Sequence, residues 1–174
     1  MKAAVMLVAV GLSLALQTTL GLMGGGRLAL DLVLVTVAWI GLTLGPGAGL
    51  MAGTIGGLAQ DALGTGVLGT GGLAKTIVGY LSGVLGTQFI VAQLLPRFVV
   101  FAAATVVQAL VVAGLDFMLG EAIGGGLRWG AVGREALGNA LLGVLLFQVV
   151  ESLPGFLERR RLERGRVRSG RLRE

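Results

Sequence analysis

Across its first 153 residues this chain carries only six basic and six acidic side chains, and they punctuate long apolar runs. A run of about 20 apolar residues spans the roughly 30 Å hydrocarbon core of a bilayer, whereas a soluble domain has about a quarter of its residues charged. With 13% charged residues, 55% hydrophobic residues and a mean hydropathy of +0.89, the chain reads as an integral membrane protein. Its 174 residues leave no room for a separate soluble domain beside the spans.

The same scarcity restricts the chemistry. There is no cysteine and no histidine, which removes disulfides, thiol nucleophiles, imidazole bases and the usual zinc ligands. The expectation is a chain without cofactor or metal that is not an enzyme. Residues 154–174 depart from the rest with eight Arg and three Glu, a net +5 against net zero for residues 1–153. Arginines directly after an apolar run are topology signals facing anionic cytoplasmic lipid. The division is therefore a transmembrane domain of residues 1–153 and a basic cytoplasmic tail of residues 154–174, with no role in nucleic-acid binding. Met1-Lys2 and the apolar residues to Leu22 begin as a signal peptide does. They lack an Ala-x-Ala-like cleavage site, so a retained first helix is expected.

Spans are expected near residues 3–23, 28–44, 48–60, 73–86, 97–119 and 135–153, an all-α six-helix bundle. Gly45-Pro46-Gly47 is a tight reversal or a kink, and this decides between six spans and five. Leu153-Pro154-Gly155 is expected to end the last span. Beyond it, Glu158 with Arg161 and Glu163 with Arg166 have the spacing of helical ion pairs. The positive-inside rule puts the tail in the cytoplasm; six spans then put the N-terminus there too and the turn over residues 61–72 outside.

Glycines 41, 45, 49, 53 and 57 stand four apart, and Gly79 and Gly83 repeat the interval. Lipid offers no hydrophobic force between helices, so such stripes, with Gly49, Gly53, Gly57, Gly79 and Gly83 as the packing positions, point to close backbone contact. Other patterns fail on context. Gly64-Thr-Gly66-Val-Leu-Gly69 matches the dinucleotide fingerprint but joins two membrane helices where the motif needs a strand and a helix. Gly69 to Lys75-Thr76 resembles a Walker A loop, with Ala74 at the required glycine. An aspartyl protease needs two facing carboxylates, and Asp31 and Asp116 lie at expected span ends. Gln60, Asp61, Lys75 and Tyr80 remain as the candidate polar cluster. Such groups point into a bundle or a wet pocket and pair; Asp61 and Lys75 flank one connection and are expected to share a salt bridge or hydrogen-bond network, a staple or a recognition surface.

Asp31 opening an apolar span, Gly45-Pro46 with Gly49 and Gly53, Gly57-Leu58-Ala59-Gln60-Asp61, Gly69, and Leu73-Ala74-Lys75-Thr76-Ile77-Val78-Gly79-Tyr80 with Gly83 together resemble the rod shape-determining MreD family over about residues 31–86. Leu30 stands where that family often has proline, and the turn before Pro46 lacks its common basic residues. The resemblance implies a non-enzymatic inner-membrane subunit of the bacterial cell-elongation complex. Its implied partners are MreC and, through it, MreB, RodA and a class B penicillin-binding protein, in support of cell shape and peptidoglycan synthesis. It also implies a fold like the six-helix substrate-binding subunits of energy-coupling-factor transporters, hence the alternative of a vitamin-binding subunit. A carrier needs convergent polar groups in a pocket, and a single Tyr and two Trp are few for one.

Overall fold

The computed structural model describes residues 2–23, 30–64, 67–88, 94–120 and 128–170, with side-chain surroundings defined for residues 4–21, 30–64, 67–88, 94–120 and 128–152. The described residues form six helices and no strand: α1 (Lys2–Met23), α2 (Leu32–Leu44), α3 (Pro46–Leu63), α4 (Thr70–Gln88), α5 (Leu94–Met118) and α6 (Trp129–Gly170). Three of them are long and apolar enough to cross a membrane, through windows at Ala4–Gly21, Leu94–Met118 and Trp129–Ser152.

α2 is the hub. At 13 residues it has the length of a buried core helix rather than of a lipid-facing span, and it is apolar all round, as a helix enclosed on every side must be. Val33, Leu34, Val35, Val37, Ala38 and Ile40 are all buried. One face joins Val78, Phe101, Ala104, Ala140 and Phe147 of α4, α5 and α6. The other joins Met6 and Val10 of α1 and Ala52 of α3.

The break at residues 45–47 is a reversal. Gly45 takes φ 95°, a conformation that glycine alone adopts freely. Its N–H donates to the Gly41 carbonyl at 2.9 Å while its own carbonyl accepts from the Gly49 N–H at 3.0 Å. Pro46 occupies the first turn of α3, where a missing N–H has no consequence. A Cβ on Gly49 would come within 2.8 Å of the Gly41 Cα, so α3 folds directly back along α2. α3 and α4 then pack along most of their length, α5 pairs with α6, and α1 lies against α2 and α3.

Several boundaries differ from the sequence expectation. α4 begins at Thr70 because Asp61 caps it, and α5 begins at Leu94 with Pro96 inside its first turn, where proline is tolerated. α6 starts at Trp129 and does not stop at Pro154-Gly155: its backbone stays helical to Gly170. A proline removes one intrahelical hydrogen bond, and the Leu, Glu and Arg residues around it have high helix propensity. The expected pairs Glu158–Arg161 and Glu163–Arg166, the Gly24–Gly26 turn with Arg27, and Glu121 lie outside the described residues or side chains.

Candidate functional site

Lys75 is the only cation of α4, and a lysine at 3% exposure needs a counter-charge. Its partner is Asp31. The Lys75 Nζ lies 2.7 Å from Asp31 Oδ2, so the salt bridge expected with Asp61 is instead made across to α2. The reason is packing order: α4 lies against α2 as well as α3, which brings the residue capping α2 over the first turns of α4.

Asp31 is fully used. Its Oδ1 accepts from the Leu34 N–H at 2.9 Å, capping α2, and its Oδ2 also accepts from Gln108 Nε2 of α5 at 3.0 Å. The Asp31 N–H donates to Asn139 Oδ1 of α6 at 2.9 Å, and Asn139 Nδ2 donates to Thr105 Oγ1 at 3.1 Å. Two residues further on, the Val33 N–H donates to Gln17 Oε1 of α1 at 3.1 Å. Glu135, half-buried in α6, is close enough to interact electrostatically with both charges of the pair. The start of α2 is thus tied to α1, α4, α5 and α6. Such a network neutralises two charges in low dielectric and fixes helix register; its stake is the penalty for breaking it more than any net gain.

Asp61, at the end of α3, has a separate task. Its Oδ2 accepts from the Gly69 and Gly72 N–H groups, each at 2.9 Å, satisfying donors that a helix start leaves free. Gly69, at φ 103°, makes the turn into α4. Gly64 and Gly69 therefore bracket a helix-to-helix connection, whose Thr65 and Gly66 lie outside the described residues. Gln60 is half-buried, and its Oε1 has no hydrogen-bond partner among the described residues. Tyr80 is 47% exposed on α4. The four residues grouped from sequence thus divide into a buried ion-pair member, a cap, an amide with a free acceptor and an outward-facing phenol.

The glycine positions sit where two backbones meet. A Cβ on Gly53 would overlap the Lys75 carbonyl; one on Gly57 would stand 2.6 Å from the Gly72 Cα; Gly49 and Gly79 face each other; and a side chain on Gly83 would overlap Pro46. Beside this seam, the Thr54 and Thr76 hydroxyls bond at 2.9 Å.

Two features were not singled out from sequence. Gln108 and Asn139 are amides inside apolar spans, and the expense of such groups in lipid was the signal that marks them. Near the other end of α5 and α6, Arg97 donates through Nη1 to Glu151 Oε2 at 2.8 Å and through Nη2 to Oε1, while its guanidinium lies 4.3 Å from the centre of the Phe147 ring. Nothing in the spacing of residues 97 and 151 marks that pair.

Between α1, α2 and α6 runs a groove of about 420 Å³ lined by Val5, Leu12, Leu16, Val35, Trp39 and Leu145 among others, with Ser13 and Thr36 as its hydroxyl-bearing members. The Ser13 hydroxyl is committed to the Val10 carbonyl at 2.8 Å.

Compared with known proteins, the chain matches no family model, no curated protein and no solved structure.

Proposed function

We propose that the chain is a non-enzymatic, six-span subunit of a bacterial inner membrane that acts as MreD-like proteins do. In this reading it holds an MreC-type partner and, through it, the MreB, RodA and class B penicillin-binding protein machinery of cell elongation. The observation that carries the reading is the mutual contact of most of the residues on which the resemblance rests, with Gln60 and Tyr80 standing apart. Asp31 pairs with Lys75, Asp61 caps the turn at Gly69, and Gly49, Gly53, Gly57, Gly79 and Gly83 line the seam that α3 and α4 share with the α2–α3 reversal. A chance agreement of spacing has no reason to gather into one unit.

In this reading α2, α3 and α4 cross as well. α3 and α4, with 18 and 19 residues, have the length of a span. The shorter α2 is shielded from lipid by its neighbours. Both termini are cytoplasmic, as the arginines after Ser152 favour. Single cysteines at Leu68 and Ser169 should label from opposite sides of the membrane; labelling from one side rejects this topology.

A vitamin-binding role needs polar groups free to converge on a ligand. Asp31, Lys75, Asn139 and Thr105 instead bond to one another, which favours the scaffold. The deciding experiment is purification of the tagged chain from its native membrane with identification of everything retained. An MreC-type protein should co-purify. Tyr80→Ala and Gln60→Ala should lower that retention at unchanged abundance. A retained vitamin without elongation proteins would replace this reading with the carrier.

A further inference from the structure

We propose that Glu135 is a proton-binding site: it holds a proton at neutral pH, and losing that proton loosens the clasp between Asp31 and Lys75. The site depends only on the membrane character of the chain, not on any likeness to MreD.

The charges around the polar network do not balance. Asp31 and Lys75 cancel, and Glu135 on α6 adds a second carboxyl group within electrostatic reach of both. Asp31 spends its oxygens on the Leu34 N–H, Lys75 and Gln108. Glu135 is half-buried and has no hydrogen bond or ion pair among the described residues. An ionised carboxylate without a partner is expensive at such a place in a span, and one proton removes the charge without changing the shape. The other charged residues at this end are Asp116 on α5, two turns beyond Gln108, and Arg128 and Arg134 on α6 itself; the surroundings of Glu135 are governed by its burial and then by Asp31 and Lys75. Arg97 of α5 stands at the opposite end with Glu151.

A second observation calls for a proton donor at the same level. Gln108 gives its Nε2 to Asp31 and leaves Oε1 buried with no donor among the described residues. Thr105 and Asn139 touch across α5 and α6 at 3.1 Å. Gln108 lies three residues after Thr105 and Glu135 four before Asn139, so on this antiparallel pair both stand one turn further in the same direction, on the same faces. Ionised, Glu135 brings only acceptors there, whereas a protonated carboxyl has the O–H that Gln108 Oε1 lacks. That oxygen is closed to an entering molecule but not to a proton carried on a side chain.

Binding forms one O–H bond, between a Glu135 carboxylate oxygen and a proton from solvent. Access is short: Glu135 is six residues from the start of α6, about 9 Å of helix. With the proton in place Lys75 faces one carboxylate and holds α4 to α2. Without it two carboxylates compete for one ammonium. A native chain that keeps a proton which the unfolded chain releases loses stability as pH rises.

The test uses the full chain in lipid bilayers and infrared difference spectroscopy, which reads the C=O stretch of a protonated carboxyl. That band should be present at neutral pH, absent in Glu135→Gln, and moved to higher frequency in Gln108→Leu, where the acceptor is gone. In detergent, the unfolding midpoint should fall by about 3 °C or more from mildly acidic to mildly alkaline pH. Glu135→Gln, with an amide donor in place of the O–H, should keep the acidic midpoint and lose this dependence, while Asp116→Asn should retain both the band and the dependence. The proposal is overturned by no band at neutral pH, by a band that survives in Glu135→Gln or ignores Gln108→Leu, by an unaltered pH dependence in Glu135→Gln, or by sodium ion restoring the alkaline midpoint in place of the proton.

Discussion

Glycine behaves in opposite ways in the two halves of this molecule. In α2, α3 and α4, the glycines at 41, 49, 53, 57, 79, 83 and 86 each face backbone of a neighbouring helix so closely that no side chain fits. In α1, α5 and α6, Gly11, Gly114, Gly130 and Gly133 face open space, Gly143 is closed off by the Phe101 ring and not by backbone, and the packing there comes from side chains such as Phe101 and Phe147, whose rings meet edge to face at 6.2 Å. The first half is a seam of backbone on backbone. The second is an assembly of side chains with a groove left in it. Glycine abundance alone says nothing about packing; its period and what stands opposite decide.

Substitution at the seam should have the largest effect. Gly53→Leu drives a side chain into the Lys75 backbone, which no rotamer avoids, and should cost about 3 kcal/mol or more, read as loss of monodisperse protein in detergent. Gly11→Leu, with nothing within 4 Å, should change stability by less than about 1 kcal/mol. Equal tolerance would erase the distinction between the halves.

The Asp31–Lys75 pair lies within the first half, tied to the second by the bonds of Asp31 to Gln108 and Asn139, and comes next. Lys75→Met leaves a buried carboxylate without its counter-charge and should cost about 3–5 kcal/mol. Asp31→Asn with Lys75→Met should be milder than the sum of the single changes by about 1–3 kcal/mol. The same cycle with Asp61 and Lys75 should be additive within about 0.5 kcal/mol, because Asp61 serves the Gly69 and Gly72 amides. A large Asp61 coupling with none at Asp31 would reverse the assignment.

Local and periodic features were legible in the sequence. The glycine interval reports helix faces directly, and Asp31 was visible as a residue opening a span, its capping role. What was hidden depended on which helices became neighbours. Lys75 had Asp61 nearby in the chain and Asp31 nearby in space, and choosing required knowing that α4 packs on α2. Arg97 and Glu151 are 54 residues apart and meet only because α5 and α6 form an antiparallel pair. The continuation of α6 past Pro154 was concealed for a different reason: proline usually announces an end, and here neighbouring propensity outweighs one missing hydrogen bond.

Asn139 tests the looser half. It is completely buried, and its amide links the start of α2 to Thr105 of α5. Asn139→Leu removes both bonds and strands the Asp31 N–H, so a loss of about 1–3 kcal/mol is expected, seen as a lower unfolding midpoint in detergent. No change would mean that α6 is held by its apolar face and the Arg97–Glu151 pair without help from this amide.

The smallest effect should come from the hydroxyl pair at the tight seam. Thr54 and Thr76 bond across α3 and α4, but each also has a carbonyl on its own helix, Leu50 for Thr54 at 3.0 Å and Gly72 for Thr76 at 2.7 Å. Removing one hydroxyl therefore leaves the other satisfied, and polar contacts between membrane helices average only about 0.6 kcal/mol. Thr54→Val, close to the same shape, should lower stability by about that amount, and Thr54→Val with Thr76→Val by little more. Gly53→Leu, one residue away, should exceed it severalfold. If the two were comparable, hydrogen bonding rather than backbone proximity would hold α3 to α4, and the contrast between the halves would have to be redrawn around polar contacts.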